Sequence, residues 1–149
     1  MSLYNNFSSK AALVEAYIDR RHEEWLDLYR ARIEDAATAE ERVLAVFDAY
    51  IDHAGAACDR GFRGCGLLNA AAELPADHPG RMAVRRHKEQ VERLLREHVS
   101  AMTGTAAAER LAEHVSFLLE GAMARAGLEG EPTRLHDARA FAATMLAAL

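Results

Sequence analysis

Apolar side chains recur at steps of three and four almost from end to end of this chain, and no stretch alternates every second residue. That spacing makes stripes on helices and leaves nothing to build a sheet from. Leu13, Val14, Tyr17, Ile18, Trp25, Leu28, Tyr29 and Ile33 follow it from Lys10 to about Ala36, with Asp19, Arg20, Glu23, Glu24, Asp27 and Arg30 on the solvent side. A second helix is predicted to open after Thr38, where Glu41 three positions on completes a capping box, and to run through Val43, Phe47, Tyr50, Ile51 and Ala54. Gly61, Gly64 and Gly66 mark the stretch from Asp59 as a loop. A short helix over 67–74 stops at Pro75. A long amphipathic helix after His78-Pro79-Gly80 carries Met82, Val84, Val91, Leu94, Leu95, Val99 and Met102. Gly104 ends it and Thr105 restarts the chain. Leu111, Val115, Phe117, Leu118, Leu119, Ala122 and Met123 define the next helix, before Gly127-Leu128-Glu129-Gly130. Pro132 suits a first turn, and Leu135, Ala138, Phe141, Ala142, Met145, Leu146 and Leu149 make the last helix. The predicted fold class is all-α.

A chain of 149 residues, half of them apolar, suits one domain with a core of its own. A net charge of −5 excludes a protein that coats a polyanion over its whole surface. Cys58 and Cys65 are too few for a disulfide scaffold and fit a reducing compartment. Met1 to Asn6 is polar, unlike a secretory signal, and the longest apolar run, Ala140 to Leu149, is broken by Thr144. It falls far short of the ~20 residues of a membrane span. A cytoplasmic protein without membrane contact is expected.

The last two helices are apolar over more than one stripe. Positions 111, 115, 118 and 122 adjoin a second row at 112, 119, 123 and 126, and the final helix is rich in alanine. A helix so widely apolar needs two neighbours. An isologous homodimer, with two helices from each subunit forming a four-helix bundle, supplies both. Val115, Leu118, Leu119, Gly121, Ala122, Ala138, Ala142 and Met145 are its predicted contacts. Ordinary core helices with a high alanine content are the alternative.

Chemistry is sparse. None of His22, His53, His78, His87, His98, His114 and His136 has a Glu or a second His three or four positions away, so no helical metal site is predicted. There is no nucleophile elbow, and the glycines at 61–66 follow a helix and lack the lysine of a phosphate-binding loop. Cys65, between Gly64 and Gly66, reads either as a reactive thiol in a redox pair with Cys58 or as a small residue at a helix entrance. No catalytic residue and no cofactor are expected. Trp25, Tyr29, Phe47, Tyr50, His53, Phe62, Asn69, Met82 and Phe117, with Cys65, are the candidate lining of a small-molecule cavity, being large or polar-tipped residues spread over five segments. A filled core has the same composition. The effector is left open, from an aromatic acid to a lipophilic cation.

Two stretches carry a family resemblance. Residues 2–14, Ser-Leu-Tyr-Asn-Asn-Phe-Ser-Ser-Lys-Ala-Ala-Leu-Val, resemble the end of the helix-turn-helix and the start of the linker helix in TetR/AcrR-type transcriptional regulators. Residues 64–74, Gly-Cys-Gly-Leu-Leu-Asn-Ala-Ala-Ala-Glu-Leu, with His78-Pro79 and His87-Lys88, resemble the ligand-domain signature of one branch of that family. The resemblance implies an all-α effector-binding and dimerisation domain over 15–149, repression released by a small molecule, and a dimer bundle from the last two helices. It places a remnant of the DNA-binding domain at 1–14. There Tyr4 and Lys10 match residues that touch DNA phosphates, Ser2, Leu3, Asn5 and Asn6 match the recognition helix, and Phe7 matches a residue packed behind it. A reading head needs a bracing helix ahead of the recognition helix. This sequence starts inside the recognition helix, so specific DNA binding by these 149 residues is expected to be lost or weak, and operator DNA is a partner only with the preceding helices present. A stand-alone module that titrates ligand or a full-length partner is the alternative. A small helical enzyme is a second one, which no residue spacing supports.

Overall fold

Among the described residues, side chains that precede three of the six helices cap their first turns. The structure, a computed structural model, describes residues 9–58 and 61–149. Helix α1 (Lys10–Glu34) is capped by Ser9, whose Oγ accepts the Ala12 N–H at 3.1 Å. Helix α2 (Ala39–Cys58) opens on the predicted reciprocal pair. Thr38 Oγ1 accepts from the Glu41 N–H at 3.1 Å, while Glu41 Oε2 accepts from the N–H groups of Thr38 (2.9 Å) and Ala37 (2.7 Å). Those backbone bonds hold the Glu41 carboxyl below its ordinary pKa. Helix α3 (Gly66–Ala72) ends before the predicted 74, because Arg81 Nη1 donates to the Ala71 carbonyl at 2.8 Å and the last bonds tighten to i→i−3.

Helix α4 (Pro79–Ser100) begins with proline in its first turn and His78 Nδ1 accepting the Gly80 N–H at 3.0 Å. Helix α5 (Thr105–Glu129) runs through Gly127 and stops only at Gly130, which adopts a left-handed φ of 79°. Pro132 immediately precedes α6 (Thr133–Leu146). Among the described residues there are six helices and no strand, as the spacing predicts. None of these helices is long and apolar enough to cross a membrane.

The centre is α2, which packs on α1, α4 and α6. It buries Val43, Val46, Phe47, Ala49, Tyr50 and Ala54 against Trp25 and Tyr29 of α1, Val91, Leu95 and Val99 of α4, and the inner rows of α5 and α6. A smaller cluster of Ile18, Leu67, Ala71 and Val84 pins α3 between α1 and α4. Two paired-oxygen ion contacts tie flanking helices to α2. Arg32 reaches both Asp52 oxygens at 2.6 Å, and Arg139 reaches Asp48 at 2.7 and 3.0 Å. Both are partly solvated, so each contributes no more than about 1 kcal/mol, but together they fix the register of α1 and α6 on α2.

The loop at 61–65 lies against α5 through glycine on glycine. A Cβ at Gly127 would stand 2.6 Å from the Gly64 Cα and 2.8 Å from the Arg63 carbonyl carbon, backbone that cannot rotate away. Gly64 itself has φ +82°, which only glycine adopts without strain. Gly127→Ala is therefore expected to destabilise the fold by about 1–3 kcal/mol in urea titrations. Gly55→Ala, in α2 with nothing within 4 Å, is expected to stabilise it by about 0.5–1 kcal/mol.

Candidate functional site

Trp25 is the anchor of the one place where several functional candidates converge. Its indole is 1% exposed, stacks on Tyr29 (5.5 Å between centroids, 4° between planes) and meets Tyr50 and His87 at 5.3 Å each. Helices α1, α2 and α4 are thereby joined by rings. Beside it lies an enclosed space of about 30 Å³, walled by Tyr50, His53, Phe62, Cys65, Leu67 and Met123 among others. That is room for a water or two and well below the several hundred Å³ of an occupied effector site.

The walls of this cavity are polar for a core. Arg21 Nε, Trp25 Nε1 and His53 Nε2 are buried nitrogens without a hydrogen-bond partner, and all three residues line it. Burying such groups unpaired costs about 1–3 kcal/mol each. Alongside runs a connected chain of side chains. Glu120 on α5 accepts from Lys88 Nζ at 2.7 Å; Lys88 also reaches the Tyr50 hydroxyl at 3.4 Å. The Tyr50 hydroxyl lies 3.3 Å from His87 Nε2, and His87 Nδ1 lies 2.8 Å from His22 Nδ1. Lysine donates only, so the order that gives every buried hydrogen an acceptor runs Lys88 to Tyr50 to His87 to His22. In it His87 is neutral, receiving at Nε2 and donating from Nδ1.

Electrostatics agree with that order. Burial, then the nearby Lys88 charge, pushes His87 down to about 3. Burial followed by Arg21 pushes His53 down to about 4. Burial raises the Tyr50 phenol above its ordinary value. Tyr29, whose hydroxyl lies 2.7 Å from His98 Nε2, is pushed up to about 12 by burial and Glu97. Burial opposes the Lys88 charge, yet the facing Glu120 carboxylate and the other acidic groups around it keep it above its usual range.

Of the candidate lining residues, Trp25, Tyr50, His53, Phe62 and Cys65 stand around the cavity. Tyr29 and Phe47 are buried in the adjoining core. Asn69 is exposed, its Nδ2 donating to the Arg63 carbonyl at 3.0 Å, so it holds the loop in place. Met82 is 58% exposed and Phe117 65%, both on faces turned away from the cavity. Each lies two positions from a buried valine, Val84 and Val115, which on a helix is nearly the opposite side. Arg21, His87, Leu67 and Met123 also line the cavity without having been singled out. The signal for two of them is phase. His87 sits in the buried row of Val84 and Val91, and Arg21 falls between Ile18 and Trp25 in the buried row of α1.

The predicted dimer contacts divide. Val115, Leu119, Ala138 and Ala142 are buried inside the subunit, against α2 and α4, and have no surface left for a partner. Leu118, Ala122 and Met145 are half-buried, and Gly121 is exposed. The face that α5 and α6 turn outward carries Phe117, Leu118, Gly121, Ala122 and Phe141, the last 63% exposed. Lys10 is the exposed first residue of α1, whereas Ser2, Leu3, Tyr4, Asn5, Asn6 and Phe7 lie outside the described residues. The Cys58 side chain does too, and Cys65 is a free thiol. Among the described residues no three His, Cys, Asp or Glu side chains are grouped to hold a metal ion.

Three histidines held below the ordinary value, His53, His87 and, through burial and the Arg42 charge, His98, make stability pH-dependent. Between their folded values and the ordinary 6.5, the unfolded chain takes up protons that the folded chain refuses. Their contribution is thus complete above about pH 6.5 and is lost as pH falls toward 4. The urea midpoint is expected to drop between about pH 7 and about pH 5.5, with a smaller drop in His87→Gln, which keeps hydrogen-bonding groups but does not titrate.

Comparison with known proteins gives the family. The sequence model described as "Tetracyclin repressor-like, C-terminal domain" matches residues 39–142. Among curated proteins nothing matches. The structure is similar to that of a TetR-family transcriptional regulator from Streptomyces coelicolor, with a TM-score of 0.80 and 28% identity, over 97% of this chain and 74% of that one. With the family match spanning most of its length and its helices laid out like those of that regulator, this chain belongs to the TetR family of transcriptional regulators, through its tetracyclin repressor-like C-terminal domain.

Proposed function

We propose that residues 15–149 are the effector-binding and dimerisation part of a one-component transcriptional repressor acting in the cytoplasm, with the cavity beside Trp25 as the inner end of its effector site. The observation that carries this reading is the convergence of three unpartnered buried nitrogens, on Arg21, Trp25 and His53, around one space. A core built only for stability would pair or omit them. No residue is assigned a catalytic role. The fold is read as a sensor whose effector shifts the population of two arrangements of the bundle, by as much as it binds them differently.

A second copy of the chain covers the outward face of α5 and α6. Phe117, Leu118 and Phe141 surround a groove of about 330 Å³ in which Gly121 leaves open space, and Arg125, Arg134 and Asp137 form a polar edge. An apolar centre with charged margins is the anatomy of a stable interface, and rotation about a two-fold axis makes it self-complementary. This face differs from the predicted one in register, because 115 and 119 are consumed by the subunit core. Operator binding is assigned to a form of the protein that carries a bracing helix beside the recognition helix, so these 149 residues by themselves are expected to hold DNA weakly at most.

Sedimentation of the wild-type chain at micromolar concentration is expected to give dimers, and the double variant Phe117→Glu with Phe141→Glu monomers with unchanged helix content. Single copies of the wild-type chain would overturn the dimer. In a gel shift with its upstream intergenic DNA, retardation is expected to be absent or to vanish with salt. Specific, salt-resistant retardation would overturn the loss of DNA binding.

A further inference from the structure

We infer that the effector is a small carboxylic acid with an apolar tail, its acid group held between Arg21, Trp25 and His53 and its tail lying in the cleft between α1 and α2. The inference rests on the cavity beside Trp25 being the effector site, and goes beyond it in naming the ligand chemistry.

The three unpartnered nitrogens specify an acceptor. The Arg21 Nε–H and the Trp25 Nε1–H can only donate, and neutral His53 can donate as well. A ligand placed among them must bring lone pairs, and the Glu24 carboxylate beside His53, the group an ammonium would seek, is already held by two guanidiniums. Trp25 is almost wholly buried, so its N–H has no access to bulk water and needs an acceptor inside the cavity.

Charge favours an anion over a neutral acceptor. Glu24, whose Oε2 stands 4.0 Å from His53 Nε2, is shared by two guanidiniums, from Arg20 Nε at 2.9 Å and Arg21 Nη1 at 2.8 Å, so its negative charge is more than offset and that corner carries one positive charge in excess. Asp27 at the cleft wall is already paired with Arg30 at 2.7 Å. Arg21 keeps Nε free because Glu24 occupies Nη1, so a carboxylate can be added without breaking the existing pair.

Space decides where the rest of the molecule goes. The inner cavity of about 30 Å³ accepts a head of a few atoms and no more. A cleft of about 760 Å³ opens on its outer side, and Arg21, His53 and Ala57 line both. Tyr17, Leu28 and Ala56 give that cleft an apolar floor. Arg21 and His53 therefore stand at the neck where the two spaces meet, with Trp25 on the chamber side and room for an aromatic ring or short alkyl chain in the cleft. A bare phosphate would use the neck and leave the floor unoccupied.

Thermal shift on the 149-residue chain tests this, with benzoate, benzamide, benzylamine, butyrate and inorganic phosphate as probes. Benzoate is expected to raise Tm in a concentration-dependent way and butyrate to do so more weakly, with no comparable shift from the other three. Trp25→Phe keeps the ring and removes one donor, and is expected to weaken benzoate binding about tenfold. Ala57→Leu leaves all three nitrogens in place but narrows the neck, and is expected to abolish the shift. An equal shift from benzamide or benzylamine overturns the acid while leaving the cavity as an effector site. A shift from phosphate as large as from benzoate overturns the tail. No shift from any probe overturns the acid and the cavity reading together.

Discussion

The rest of the molecule depends on the burial of the Trp25 indole where α1, α2 and α4 meet. Its rings touch Tyr29 on its own helix, Tyr50 on α2 and His87 on α4. Removing a buried side chain of that size typically costs about 3–5 kcal/mol, a large share of the stability of any domain. With three helices tied there, α2 becomes the central strut, and α6 and α5 pack on what it leaves uncovered. The same indole leaves its N–H without a partner. The group that closes the bundle also opens the site.

Around that ring, packing and polarity work against each other in a consistent direction. A chain of hydrogen bonds from Glu120 through Lys88, Tyr50 and His87 to His22 crosses from α5 to α1 through the interior. Each member is satisfied by the next, so the polar interior is tolerated and oriented rather than merely endured. The cavity nitrogens stand beside this chain and outside it. Stability and the proposed effector binding thus fall to different polar groups within one small volume. The Lys88–Glu120 pair also places one end of the chain on α5, one turn on from the exposed Phe117.

Much of the architecture was legible from residue spacing, because helix phase is a local property. Threonine and glutamate three positions apart, as Thr38 and Glu41 are, define a helix start, and the structure has that start. Gly130 ends α5, where a positive φ is needed, although Gly127 three residues earlier also looked like an end. Gly127 is instead a contact glycine, required by backbone from a loop some sixty residues away, and only the folded chain contains that fact. Met82 and Phe117 show the limit for sites. Both are large and apolar, as a pocket lining should be, but they stand on the wrong side of helices whose buried rows are fixed by valines two positions off.

The order of periods, caps and breakers along the chain by itself determined an all-helical fold and where most of its helices begin, since each depends on bonds spanning only three or four residues. Which rows face inward together, and which polar atoms find no partner there, was decided only by tertiary structure. Arg21, Trp25 and His53 are ordinary helix residues until α1 closes on α2 and removes water from three nitrogens at once. Desolvation is a property of the assembled volume, and no local pattern of residues encodes it.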